Sequence, residues 1–220
     1  MYNGIAIALA WPETYCKQAG AWYDSYTDKL GISRNGYYKV GHSALVLIDK
    51  QVGKCHYADF GRYHAPHGFG RVRTERSDHD LKIFTNAEID ADSSELLNLD
   101  SILIELYENA SSHGTGEIYG APFEVDFNLT NAAILNLQEH DFIEYGPFLT
   151  SGTNCSRFVN KMILAGKPDI ASKLKLRFPP MLTPTPMWNL EASRSAISCY
   201  DGTVQLEVVH EQQPILIRTR

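Results

Sequence analysis

Cysteine is scarce in this chain and nowhere clustered. Among 220 residues only Cys16, Cys55, Cys155 and Cys199 are cysteines, and no two form a Cys-x-x-Cys pair. That disfavours the common zinc sites and requires no disulfide framework. His64 and His67 stand near each other, but no third ligand follows at a metal-binding spacing, so no metal is expected. Long apolar runs are missing too. The N-terminal stretch IAIALAW is far shorter than the ~20 residues that span a bilayer, and no basic segment precedes it as in a secretion signal. It reads as a buried strand, and the chain as cytoplasmic, with no membrane span. Positive charge is not in excess: 20 Lys and Arg against 26 Asp and Glu leave a net charge of −6. The cations are scattered, which argues against a nucleic-acid partner. Glycines at 114, 116 and 120 have the wrong spacing for a dinucleotide fingerprint, and no cofactor is expected.

What is present is an ordinary globular composition, 44% hydrophobic and 21% charged, in a chain long enough to bury a sizeable core. One domain is expected over residues 1–178. A proline-rich segment and a C-terminal β-hairpin, 179–220, would pack on it. The most informative stretch is GTNCSRFVNKMILAG, residues 152–166. Phe158, Val159, Met162 and Ile163 recur at the spacing of one helical face. Thr153 or Asn154 suits the N-cap, Gly166 the left-handed position after the last turn, and Pro168 closes the region. Cys155 therefore lies in the first turn, on the buried side. There the helix dipole and the unpaired N–H groups favour thiolate, and the same groups can stabilise an oxyanion. A cysteine at such a place can equally be a small buried hydrophobe. A histidine within reach separates the two readings.

The segment GHSALVLI, the polar DKQVGK and the strand CHYADF read as a β-hairpin. Pairing about Gln51–Val52 sets Ala44 opposite Asp59 and His42 opposite Gly61, which puts Asp59 on the His42 face, one diagonal step away. An acid there would fix the imidazole tautomer and stabilise its cation. A register slip of one residue would bring His56 to that face instead. Beyond the hairpin, residues 61–76 read as a cation-rich loop in which Arg62 and Arg71 are candidates to bind an acidic group of a substrate.

For the rest, residues 4–11, 81–85 and 215–219 are expected as strands, and 16–30, 95–108 and 129–140 as helices. Residues 178–188 are expected to be extended. A two-residue turn at Asp201-Gly202 would place Ile197, Cys199, Val204, Leu206 and Val208 on one apolar face.

The order of parts, a histidine opening GHSALVLI, a polar residue in YADF and a later EYGPFLTSGTNCSRFV, resembles the circularly permuted papain-like superfamily. That superfamily includes NlpC-type cell-wall amidases, lecithin:retinol acyltransferase-like enzymes and YiiX-like hydrolases. The Asn-Cys-x-x-Phe-Val signature is matched by Asn154, Cys155, Phe158 and Val159. DFGRYHAP and GTNCSRFVN are also similar to an uncharacterised bacterial domain family. The resemblance implies an α+β, NlpC-like fold, an antiparallel sheet with the nucleophile helix packed against it. It implies Cys155 as nucleophile and His42 as base, with Asp59 or His56 orienting and Tyr145 or Asn154 supporting the oxyanion. The implied substrate is a peptide, amide or acyl compound. The activity would be a cysteine hydrolase, with a thiol acyltransferase or a silent peptide- or glycan-binding module as alternatives.

Overall fold

A computed structural model describes residues 2–17, 33–34, 37–112, 114–147, 149–177, 183–203 and 207–209. In chain order the elements are β1 (Gly4–Trp11), β2 (Tyr15–Lys17), β3 (Ser33–Arg34), β4 (Tyr37–Lys39), β5 (His42–Asp49), β6 (Cys55–Gly61) and β7 (Phe69–Thr74). They continue with α1 (Leu99–Glu108), β8 (Ile118–Val125), α2 (Phe127–Gln138), β9 (Ile143–Glu144), α3 (Cys155–Ala165), α4 (Ile170–Arg177), α5 (Pro186–Glu191), β10 (Ile197–Tyr200) and β11 (Glu207–Val209). The helix expected over 16–30 lies outside the described residues except at its start, where Cys16 and Lys17 belong to β2. The strand expected at 215–219 lies outside them altogether.

Eight strands form one antiparallel sheet in the order β11-β10-β8-β1-β5-β6-β7-β9. The apolar N-terminal run is its central strand, and all eight of its residues are buried. Its alternation explains why both faces are covered. Ala6, Ala8 and Ala10 point to the cluster holding Phe158, Val159, Met162 and Ile163 of α3. Ile5, Ile7, Leu9 and Trp11 point to the cluster holding Ile102, Leu103 and Leu106 of α1. The small alanine faces let the helix layer sit close, and the large side chains fill the other side. The result is the expected α+β arrangement, a helix-covered antiparallel sheet with the Cys155 helix against it.

The cap of that helix is Asn154, whose Oδ1 accepts the Arg157 N–H at 2.9 Å. Its end differs from expectation. Gly166 has φ −75°, and the left-handed residue is Lys167, at φ 51°. Glycine is needed at 166 for room instead. A Cβ there would lie 2.2 Å from Thr130 Oγ1 and 2.7 Å from Val125 Cβ. Gly166→Ala is expected to cost about 1–3 kcal/mol through overpacking, read as a lower urea midpoint with an unchanged slope.

Three further expectations change. Residues 81–85 are not a strand: a 3-10 turn at His79–Leu81 leads into irregular chain. The proline-rich segment is not extended throughout. Thr185 caps α5 by accepting the Trp188 N–H, and Pro186 takes the first helical position, where its missing N–H is harmless. The C-terminal strands pair as Cys199 with Glu207, three residues beyond a two-residue turn. Val204 and Leu206 of the expected apolar face lie outside the described residues. Asp201 Oδ1 accepts from the Thr203 N–H and hydroxyl, a side-chain turn. Cys199 is accordingly half-buried, outside the core.

Candidate active site

The hairpin forms in the register that sets Ala44 opposite Asp59. His42, at the start of β5, and Asp59, on β6, thereby converge, with His42 Nε2 3.4 Å from Asp59 Oδ2. The imidazole is pinned from the side by Trp11, its direct partner on β1, whose ring stacks on it at 5.6 Å and 28°. His42 is 4% exposed and Asp59 fully buried.

The first turn of α3 brings Cys155 to the same point. The Cys155 sulfur lies within electrostatic reach of the His42 ring, the Ser43 backbone N–H and the Ser156 side chain, each of which favours its thiolate. With Nε2 turned to Asp59, Nδ1 is the ring nitrogen left for the sulfur.

The electrostatics follow from this packing. Burial alone would push the Cys155 thiol up, but the His42 hydrogen bond and charge outweigh it and bring the thiol below its ordinary value. Burial alone would lower His42. The Asp59 and Cys155 contacts outweigh it and raise the imidazole to about 9. Burial would likewise raise Asp59, yet His42 and Arg73 hold its carboxyl below the usual range. The lowered Cys155 and the raised His42 both favour a thiolate–imidazolium pair. Burial pushes Cys16 up to about 12 and Cys55 up to about 11.

Asp59 has two further partners that sequence reasoning missed. Arg73 Nε donates to Oδ1 at 2.9 Å, and Arg73 Nη2 to Oδ2 at 2.5 Å. The Tyr57 hydroxyl donates to Oδ2 at 3.1 Å. Arg73 stands directly across from Asp59 on β7, so the segment read as a loop is in part a strand. The signal was there in FGRVRT, whose cations alternate with Val72 as strand residues do. The Arg73 guanidinium is covered by the Tyr63 ring, 3.6 Å from its centroid. Gly61 makes that possible, since a Cβ there would lie 2.3 Å from the Tyr63 ring.

The remaining candidates separate. His56 faces away from this cluster, opposite Leu47, with Nδ1 3.1 Å from Glu75 Oε1. The third position beside His42 is therefore Asp59. Arg71 donates to both oxygens of Asp78, at 2.8 and 2.6 Å, and to the Tyr63 carbonyl, and so staples the loop. Asn154 Oδ1 is engaged as the helix cap and fixes the first turn of α3. Arg157 donates to the Leu149 and Gly146 carbonyls and ties down the lead-in. That lead-in is long because it loops out between Tyr145 and Thr153, which are joined by a parallel bridge. Tyr145 stacks on Phe60 at 5.9 Å, and the Arg62 guanidinium sits over the Tyr145 ring, 5.2 Å from its centroid.

His42, Cys16, Arg62, Tyr63 and Tyr145 line a cleft of about 500 Å³. A larger cavity, about 660 Å³, lies elsewhere, around Leu97, Asp169 and Arg194, and touches none of these groups. Among the described residues no group of three or more His, Cys, Asp or Glu is placed to hold a metal ion, and no helix is long and apolar enough to cross a membrane.

Fold and site together define an α+β protein in which a helix-borne cysteine meets a hairpin histidine and a buried acid beside an open cleft. Residues 6–171 match the family described as type VI secretion system effector TseH-like, and the chain belongs to that family. Its fold is shared with the crystal structure of the type VI secretion system effector TseH, with a TM-score of 0.62 at 19% identity. That match covers 93% of this chain and 97% of the other. No curated protein sequence matches.

Proposed function

We propose that this effector-family protein is a cysteine hydrolase of the permuted papain-like kind, cleaving an amide bond through an acyl-cysteine. The observation that carries the proposal is the buried Cys155–His42–Asp59 cluster in which the sulfur is favoured as thiolate. The chain order, histidine before cysteine, and the packing of α3 on an antiparallel sheet support the papain-like assignment.

In the reaction, the Cys155 thiolate adds to the carbonyl carbon. The tetrahedral intermediate collapses as the C–N bond breaks, and His42 gives its proton to the leaving amine. A water then attacks the thioester, its proton passing to His42, and the acid leaves with the thiolate regenerated. Tyr145 and the first amides of α3 are assigned to oxyanion support, and Arg62 to substrate binding from the cleft wall. Membership of a secretion-effector family supports a place of action outside the producing cytoplasm. The cell-wall amidases of the same superfamily make cell-wall peptide the first substrate to assay.

The thiolate is tested without knowing the substrate. At pH 6, iodoacetamide is expected to label Cys155 at least ~10-fold faster than Cys16 or Cys55, because only a thiolate reacts; peptide mapping after a short pulse reads the rates. Slow, equal labelling of all the cysteines would remove the hydrolase reading.

A further inference from the structure

The buried acid beside His42 is not a bare carboxylate. Oδ2 of Asp59 lies near three donors: Arg73 Nη2 at 2.5 Å, the Tyr57 hydroxyl at 3.1 Å and His42 Nε2 at 3.4 Å. The histidine contact is the longest, and Nε2 makes no formed hydrogen bond. Arg73 also grips Oδ1 through Nε at 2.9 Å, so its planar fork fixes the plane of the carboxylate. Both partners are almost wholly out of water, Asp59 at 0% and Arg73 at 3% exposure. A charge in such a place is felt strongly by its neighbours.

We infer that Arg73 is a positioning residue for the site, holding Asp59 back from His42 and thereby limiting how tightly the imidazole keeps its proton. The inference rests on the proposed Cys155–His42–Asp59 site. An acid whose charge was unshared, and free to rotate onto Nε2, would stabilise the imidazolium further and make it a poorer proton donor to a leaving amine. The forked arginine prevents both. Its guanidinium is in turn covered by the Tyr63 ring, which meets the His42 ring edge-on at 6.4 Å. DFGRY and FGRVRT thus act together: Asp59 supplies the acid, Gly61 the room for Tyr63, Tyr63 the lid, and Arg73 the restraint.

Other groups facing His42 must be held constant in a test. They are Cys155 on α3, the uncharged Trp11 ring on β1, and the hydroxyl and thiol of Tyr63 and Cys16 in the cleft, with Arg62 further out on its wall. Replacing Cys155 with serine removes the largest of these and makes the measurement independent of thiol reactivity. In the Cys155→Ser protein the His42 ring signal, assigned by its loss in His42→Gln, is followed by NMR against pH.

Adding Arg73→Met is expected to move the His42 inflection up by about one pH unit, since a cation within a few ångströms of a titrating group shifts it by that order. Arg73→Lys, which keeps the charge but lacks the fork, is expected to fall between the two. Tyr57→Phe, which frees only one lone pair of Oδ2, is expected to move it up by a smaller amount. An unchanged or lowered inflection in Arg73→Met, with lost thermal stability alone, would show that the arginine merely holds the fold. If Arg73→Met does not fold, Arg73→Lys and Tyr57→Phe decide, an upward shift supporting the role and an unmoved inflection overturning it. Fast alkylation of Cys155 belongs to the hydrolase proposal and stands or falls separately.

Discussion

Asp59→Ala is expected to destabilise the protein by about 3–5 kcal/mol, a large part of the stability of an ordinary domain. The reason is what remains. Arg73 would keep its charge at 3% exposure with both oxygens of its one carboxylate partner gone, and the Tyr57 hydroxyl would lose its nearer acceptor. Asn at the same position keeps the shape but not the charge and should cost nearly as much. Asp59→Ala combined with Arg73→Met should cost less than Asp59→Ala alone, because it removes the stranded charge. The effect has a direction in pH. Asp59 is held below its usual range in the folded state, so its contribution is fully present above about 3.9, the unfolded value. It is lost as pH falls through the lower folded value. The stability gap between wild type and Asp59→Ala, read from urea unfolding, should therefore be widest near neutrality and narrow in acid. A gap that stays constant down to pH 3 would mean that the carboxylate charge is not the source.

Much of this arrangement could be read from the chain, and the parts that could not have physical reasons. The slip that would bring His56 to the His42 face stayed open, because both faces of β5 are buried and its apolar run does not choose between them. Strand alternation and a short polar loop did point to Asp59 opposite Ala44. The helix face of α3 and its Asn154 cap were legible for the same kind of local reason. Arg73 was not. A buried arginine looks like any other cation until its partner is known, and here that partner is fourteen residues away on the adjacent strand. Gly166 was misjudged because its constraint is tertiary, the approach of Thr130 and Val125, and no local pattern encodes that. Arg71 and Arg73 have the same residue type two positions apart. One meets Asp78 in its own loop and the other the site acid, which only the folded register distinguishes.

Cys155→Ser is expected to lower amide cleavage by on the order of 10⁴-fold or more while leaving the fold intact, since the seryl oxygen has no comparable anion at neutral pH. The assay is release of new amino groups from bacterial cell-wall peptide, with unfolding midpoints measured alongside. His42→Ala should fall almost as far, because it removes both the proton donor to the amine and the charge that brings the Cys155 thiol down. The double variant should be no worse than Cys155→Ser alone, as residues that act as one unit are not additive. The pH profile follows from the same pair. Activity needs thiolate and imidazolium together, so it should rise as pH passes the lowered Cys155 value and fall as His42 loses its proton near 9. His42 also links this limb to stability. Its folded value lies above the unfolded ~6.5, so its contribution is complete below that pH and disappears as pH rises towards 9. Activity that keeps climbing beyond pH 10 would mean that a neutral imidazole acting as base, rather than a preformed ion pair, runs the reaction. Full activity in Cys155→Ser would move the chemistry to another part of the molecule.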